Sequence, residues 1–392
     1  MTRDYAPLDD YLDAGDYDGY LLYADSGLAD QYYLAGFDAP DPFVTLYAPD
    51  ETALLVFGLE YGRAVNEARA DVVKRYADYD LHGKAAEYGR DEAFRRVLVE
   101  FLDDRGAGSV ATNARFPLAT ADDLRERGVS VAADRGDRVG AVRAVKTDDE
   151  VEAVRAAQRA NEAAMRTAED LIADADVEDG VLVRDGEPLT SERVKEEIEV
   201  ALLRRGCALD ETIVACGADA AEPHNRGSGP LRAGETVVVD IFPRDKSTNY
   251  HADMTRTFVK GDPSAEAREF YDVTERAFEA AFDALEPGAT GGDVHGAACD
   301  VFEDAGYPTL RADPSTETGY IHSTGHGVGL DVHEGPRLSD GADEELEPGN
   351  IVTVEPGLYD PDVGGVRIED IAVVTEDGYE DLTDYRVEFG VE

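Results

Sequence analysis

Four carboxylates in the C-terminal half of this chain sit where a carboxylate is costly, inside or at the end of apolar runs. They are Asp240 in Val237-Val-Val-Asp240, Asp253 in Ala252-Asp-Met-Thr-Arg-Thr-Phe258, Glu355 in Ile351-Val-Thr-Val-Glu355, and Glu369 in Gly365-Val-Arg-Ile-Glu369. An apolar strand implies burial, and a buried carboxylate needs a cation or hydrogen bonds to replace its lost hydration. The fold must therefore bring these strands together around something positive. If the segments holding Asp240 and Asp253 are antiparallel strands, the two acids can face each other across the ladder. A histidine cluster follows: His322, His326 and His333 lie close together, with Gly325, Gly327 and Gly329 interleaved. Glycine lets backbone approach closely, and a histidine between two glycines is poorly placed for core packing. Four carboxylates and one imidazole make an oxygen-rich site that two divalent ions would neutralise. Mn²⁺, Co²⁺, Fe²⁺ and Zn²⁺ all suit such donors.

Composition sets the standard of proof. The chain of 392 residues carries 86 Asp and Glu against 37 Lys and Arg, a net charge of −49. Acids this common make suggestive spacings cheap, so the strand context and the His-Gly cluster carry the specificity. An apolar content of 43% argues against disorder. The acids are dispersed, with no run of five. Nucleic acid and anionic membranes are excluded as partners, because both need a basic footprint. Six of the 37 basic residues are Lys and none of the chain is Trp. Together with the dispersed acid, this looks like a cytoplasmic protein of a salt-accumulating organism. The odd set Cys207, Cys216 and Cys299 suits a reducing compartment. No signal peptide is expected in the acidic start, and no stretch reaches the 18 apolar residues of a membrane span.

The pattern along the chain reads as mixed α/β (α+β). Gly19–Ala24, Tyr32–Phe37, Phe43–Ala48, Thr52–Gly58 and Val129–Ala133 are expected as strands, with Arg90–Leu102 an amphipathic helix. Thr147-Asp-Asp-Glu150 fits a capping box, opening a helix to about Ala173. Asp174–Thr190 reads as a loop or hairpin. Ser191–Arg205, Ser264–Leu285 and Asp293–Ala305 read as helices between strand-rich runs. Two domains are expected, 1–146 and 147–392.

Taken in order, Pro223-His224, Val238-Val-Asp-Ile241, Asp253-Met-Thr-Arg-Thr-Phe258, Gly325-His-Gly-Val-Gly329, Val332-His-Glu334, Val354-Glu-Pro-Gly357 and Val366-Arg-Ile-Glu369 carry a resemblance. They resemble the pita-bread metallopeptidases: Xaa-Pro aminopeptidase, prolidase, methionine aminopeptidase and the creatinase relatives. The resemblance spans about residues 148–392. It extends upstream through Tyr32-Tyr-Leu-Ala-Gly36 and the Arg143-Ala-Val-Lys146 junction. It implies a C-terminal pita-bread catalytic domain behind a creatinase-like α/β N-terminal domain. It also implies Asp240, Asp253, His326, Glu355 and Glu369 as ligands of two divalent ions, with Mn²⁺ the first choice. Asp253 and Glu369 would bridge. His224, His333 and Glu355 would be catalytic, and His322 and Arg367 would contact the peptide substrate. A homodimer is implied as well. The chain departs from the pattern at Phe242, where the family has Gly, and in a longer loop over 243–248.

The activity so implied is hydrolysis of the bond between an N-terminal residue and proline, by a hydroxide shared between the ions. Glu355 would pass the proton, His333 would donate to the oxyanion, and His224 would assist the leaving nitrogen. Two readings compete: a non-catalytic pita-bread interaction module, and a metal-dependent hydrolase of another amide or phosphorus ester. Relatives that lose catalysis lose ligands, and here all five positions are filled. His251, His295 and His82 read as structural.

The net charge also generates a prediction. Self-repulsion is screened at molar salt, where the Debye length is about 3 Å. The melting temperature is expected to climb from dilute buffer to molar KCl in scanning calorimetry, and a flat profile would refute this.

Overall fold

The computed structural model describes residues 3–391. The chain divides into two compact units, one ending at Arg143 and the other beginning at Ala144.

The first unit is built on one six-stranded mixed sheet. Its strands are β1 (Gly19–Ala24), β2 (Phe43–Ala48), β3 (Glu51–Val56), β4 (Val72–Arg75), β5 (Ser109–Thr112) and β6 (Ser130–Ala133), in the order β4-β3-β2-β1-β5-β6. Its helices are α1 (Ala6–Ala14), α2 (Ala29–Ala35), α3 (Gly58–Glu67), α4 (Leu81–Tyr88), α5 (Arg90–Asp104), α6 (Leu118–Glu126) and α7 (Arg138–Ala144), the last running into the second unit. Helix α5 buries Ala93, Val97, Leu98, Phe101 and Leu102, the stripe that its helical periodicity requires. One expected strand is corrected. Residues 32–35 of the run Tyr32–Phe37 belong to α2, which ends where Gly36 takes φ 58° and its N–H reaches Tyr32 O. Helix α2 is buried nearly all round, and an apolar run without polar alternation does not distinguish a strand from a buried helix. The left-handed glycine was the stop signal.

The second unit opens with α8 (Asp148–Ala173), capped as expected by reciprocal hydrogen bonds between Thr147 and Glu150. Asp174–Thr190 is a small sheet of β7 (Asp176–Glu178), β8 (Val181–Arg184) and β9 (Glu187–Pro188), followed by α9 (Ser191–Leu203). Then come β10 (Cys207–Ala208), β11 (Thr212–Cys216), β12 (Val237–Ile241), β13 (Arg244–Asp245) and β14 (Met254–Phe258). Helices α10 (Ala265–Asp283) and α11 (Gly291–Asp304) precede β15 (Gly325–Gly327), β16 (Glu334–Leu338), β17 (Ile351–Val354), β18 (Gly357–Asp360), β19 (Gly364–Arg367), β20 (Asp370–Thr375) and β21 (Gly378–Asp381).

Two sheets organise this unit: β11-β12-β14, and β16-β15-β17-β20-β21. Each rests on its own helix pair. Val237, Val239, Ile241, Met254 and Phe258 pack with α8 and α9, while Val352, Val354, Ala372 and Val374 pack with α10 and α11. Strand side chains alternate between faces, so these choices settle the opposite parity. Asp240, Asp253, Glu355 and Glu369 all belong to the parity that faces away from the helices. An isolated bridge between Thr255 and Glu369 joins β14 to the segment between β19 and β20.

The long loop after Asp240 continues the β12–β14 hairpin. Ala252 N–H donates to Pro243 O and Asp245 N–H to Tyr250 O, and Asn249 turns the tip with φ 64°. Among the described residues, no helix is long and apolar enough to cross a membrane. Cys207, Cys216 and Cys299 are all free thiols.

Candidate metal centre

A cleft of about 600 Å³ opens in the second unit, and all nine expected site residues line it: Asp240, Asp253, His326, Glu355, Glu369, His224, His322, His333 and Arg367. One donor atom each from Asp253, His326 and Glu369 lies within 4.8 Å of the others, all three residues being buried.

The register explains the convergence. Asp240 stands directly opposite Thr255 on β14, and Asp253, two residues before Thr255, is its diagonal neighbour on the same face. The acids therefore meet diagonally rather than directly across the ladder as expected. Strand β15 is bracketed by β16 and β17, and His326 can occupy it only because its neighbours are glycines. A Cβ on Gly325 would collide with the carbonyl oxygen of Thr353, and one on Gly327 with that of Gly335. The Nδ1–H of His326 donates to Gly327 O at 3.2 Å. Its Nε2 then faces Glu355 Oε1 at 3.2 Å and Asp253 Oδ2 at 3.9 Å.

The polar atoms around the acids form a second set. Thr255 Oγ1 donates to Glu369 Oε2 at 2.7 Å, and Thr353 Oγ1 to Glu355 Oε1 at 3.2 Å. Arg367 is spent on the centre itself. It donates to Asp240 Oδ2 at 2.5 Å, to Tyr359 Oη at 3.0 Å and to Thr255 Oγ1 at 3.2 Å. The guanidinium expected to meet substrate is thus engaged with Asp240. His322 receives the Tyr359 hydroxyl at Nε2, at 2.9 Å, and gives its Nδ1–H to Ser323 O, at 2.7 Å. Burial pushes its pKa down to about 4, so it is neutral at pH 7. Partial desolvation at the cleft mouth, with the neighbouring His326, also lowers that of His333, whose ring meets His326 edge-on with centroids 4.3 Å apart.

The carboxylates divide. Burial, then the charges of Asp240 and Glu355, push Asp253 well above the usual carboxylate range. Burial, then Asp253 and Glu355, does the same to Glu369. Burial raises Asp240 against the pull of Arg367. Burial also acts on Glu355, but its contact with His326, with His322 and Arg367 nearby, outweighs it and holds the carboxyl at about 2. This donor set fits divalent cations. Asp240 Oδ1 is buried without a hydrogen-bond partner among the described residues, and Nε2 of His326 points at two carboxylates.

Tyr359, Thr255, Thr353 and Arg337 were not anticipated. Parity was the available signal for Thr255, which shares its strand face with Asp253. Arg337 is the residue opposite His326 in the β15–β16 register and lines the cleft. His295 bonds Thr324 Oγ1 and Cys299 Sγ behind the cleft, at 2.9 and 3.4 Å.

The family model described as Metallopeptidase family M24 matches residues 152–376, and the Creatinase/Prolidase N-terminal domain matches residues 6–157. The chain is 28% identical over 357 residues to the Xaa-Pro dipeptidase of Pyrococcus furiosus, covering 90% of each. The structure of a prolidase from Pyrococcus furiosus superposes with a TM-score of 0.77 at 26% identity, over 96% of this chain and 99% of that one. The Xaa-Pro dipeptidase of Bacillus anthracis shares the fold, with a TM-score of 0.82 at 24% identity over 99% of both chains.

A cation entering this centre must displace protons from Asp253 and Glu369, so divalent-metal affinity is expected to fall from pH 8 to pH 5. Asp253→Asn removes a donor together with a carboxyl that burial and its acidic neighbours force toward the protonated form on folding. It should raise the melting temperature of chelator-treated protein while weakening Mn²⁺ binding about tenfold or more. Calorimetric titration and thermal melts check both, and unchanged affinity would contradict the site.

Proposed function

Since the chain belongs to metallopeptidase family M24, we propose that it hydrolyses the peptide bond between an N-terminal residue and proline. The convergence of Asp240, Asp253, His326, Glu355 and Glu369 with His224, His322 and His333 in one cleft carries this reading. The proline preference is supported by the full-length similarity to proteins named Xaa-Pro dipeptidase and prolidase.

Asp240, Asp253, His326, Glu355 and Glu369 are the side chains that would hold two divalent ions. When bound, such ions supply Lewis acidity, polarising the scissile carbonyl and acidifying water. The chain's own residues do the rest. Glu355, ionised at neutral pH, takes the proton that the attacking water loses. His333, a neutral imidazole at the cleft wall, donates to the carbonyl oxygen as charge develops there. The nitrogen of an Xaa-Pro bond carries no hydrogen and must be protonated to leave as proline's amine. His224 also lines the cleft wall and assists that transfer in this reading. Arg367 and Tyr359 hold Asp240 and His322 in place.

One observation favours dipeptides over longer peptides. Three arginines line the cleft; Arg367 is bound to Asp240 and Arg226 is paired with Glu211. Arg337 makes no ion pair or hydrogen bond through its side chain among the described residues. A free guanidinium suits the terminal carboxylate of an Xaa-Pro dipeptide. Mn²⁺ as the native ion and a homodimeric state rest on the family resemblance, and a cytoplasmic location rests on the unpaired thiols and acidic surface.

The test is Mn²⁺-reconstituted protein in molar KCl, assayed on Xaa-Pro dipeptides beside Xaa-Pro-Xaa peptides. Hydrolysis of neither, with metal bound, would overturn the reading. Glu355→Ala should abolish activity while leaving the circular dichroism spectrum unchanged. Arg337→Met should raise KM for dipeptides about tenfold or more, the worth of a charge-assisted hydrogen bond. KM for longer peptides should change much less, and an equal change in both would assign Arg337 no part in choosing substrate length.

A further inference from the structure

We propose that Lys146 is a positioning residue for His333, acting through a buried ion pair with Glu334. Lys146 is one of only six lysines in the chain, yet it is 3% exposed. Its Nζ lies 2.6 Å from Glu334 Oε1, with the two side chains 1% and 6% exposed. A buried pair of this kind repays its desolvation poorly and is weak as a source of stability. Its value lies in what it holds.

Each partner is attached to a different arm of the cleft. The backbone of Lys146 is fastened to the arm that ends in Glu355. Its N–H donates to Gly349 O at 2.9 Å, and Val145 bridges Asn350, the residue before β17. Asn350 Nδ2 closes this junction on Ala144 O at 3.0 Å. Glu334 opens β16, directly after His333, and pairs in register with Gly327, the residue after His326. Its carboxylate packs against Gly329 so closely that a Cβ there would collide with Oε1. The ion pair thus ties the His333 loop to the Glu355 strand.

His333 needs such a tie. Among the described residues its imidazole makes no hydrogen bond, and its ring meets only that of His326. Its aim into the cleft therefore depends on its backbone, which Glu334 anchors one residue away. The inference rests on the reading that His333 acts on the substrate.

The experiment is a double-mutant cycle. Lys146→Met with Glu334→Gln removes both charges without leaving one buried alone. In the otherwise wild-type enzyme this pair of changes should lower kcat/KM for an Xaa-Pro dipeptide about tenfold or more. In the His333→Ala background it should cost less than about twofold. An equal loss in both backgrounds, or a loss that vanishes at temperatures where the variant is fully folded, would overturn the proposal. The imidazole NMR signals of metal-free protein give a readout independent of activity. The His333 signal should move and the remote His82 signal should not, and an unmoved His333 signal also overturns the proposal. Glu334→Asp keeps both charges and shortens the reach by one methylene; it should move the His333 signal in the same direction. Wild-type protein that hydrolyses no Xaa-Pro peptide while its variants show this displacement would uphold the positioning role and defeat the functional reading.

Discussion

Four carboxylates held in one buried cleft repel one another, and most of the second unit is arranged around that repulsion. Two like charges about 4 Å apart cost on the order of 4 kcal/mol at the effective dielectric of a protein. Arg367 stands among the four acids, and its single positive charge is too little to neutralise them. Burial and mutual repulsion leave Asp253 and Glu369 favouring their protonated forms. A divalent cation relieves both costs at once, because it neutralises the charge and supplies the coordination that hydration no longer can. The scaffold spends stability to keep a cation site assembled, which is the usual exchange between stability and activity.

The packing behind the acids makes that strain bearable. Arg256, fully buried on β14, donates to the carbonyl oxygens of Thr255 and Glu369 and pairs with Asp370 at 2.8 Å. It also donates to the carbonyls of Tyr385 and Arg386, fastening the C-terminal segment to the same point. Glu369 therefore sits on a backbone braced from the side opposite the cleft. On the cleft side, Arg367 and Tyr359 form one hydrogen-bonded line from Asp240 to His322. Asp240 and His326 sit on strands, and Asp253, Glu355 and Glu369 each sit one residue from a strand end, the anchoring a preorganised site requires. Tight glycine contacts at 325 and 327 bring the histidine strand close enough to join them.

Much of this was legible in one dimension. An acid at the end of a β-branched run announces burial, and strand periodicity then says which neighbours share its face. That logic reached Asp240, Asp253, Glu355 and Glu369, and the glycine-flanked His326 completed the set. Other features lacked such a signal. The Tyr32–Phe37 run gave no periodicity to tell a buried helix from a strand. Tyr359 looks like any aromatic in an apolar strand until Arg367 and His322 are seen on either side of its hydroxyl. Arg337 is one of 31 arginines whose sequence context is unremarkable, and only the β15–β16 register places it opposite His326.

The amino-acid sequence by itself determined which side chains would be buried acids, where the long helices start and stop, and that those acids would need a cation or hydrogen bonds. These follow from local properties: side-chain polarity, backbone periodicity and capping chemistry act over a few residues and can be read along the chain. Only the tertiary structure decided that Arg367 belongs to Asp240, that Asp253 meets Asp240 diagonally, and that Lys146 reaches Glu334 across 188 positions. Such pairings depend on strand register and sheet order, which are set by the simultaneous packing of both helix pairs against their sheets. No window of sequence contains that information, because the groups concerned become neighbours only when the whole unit is assembled.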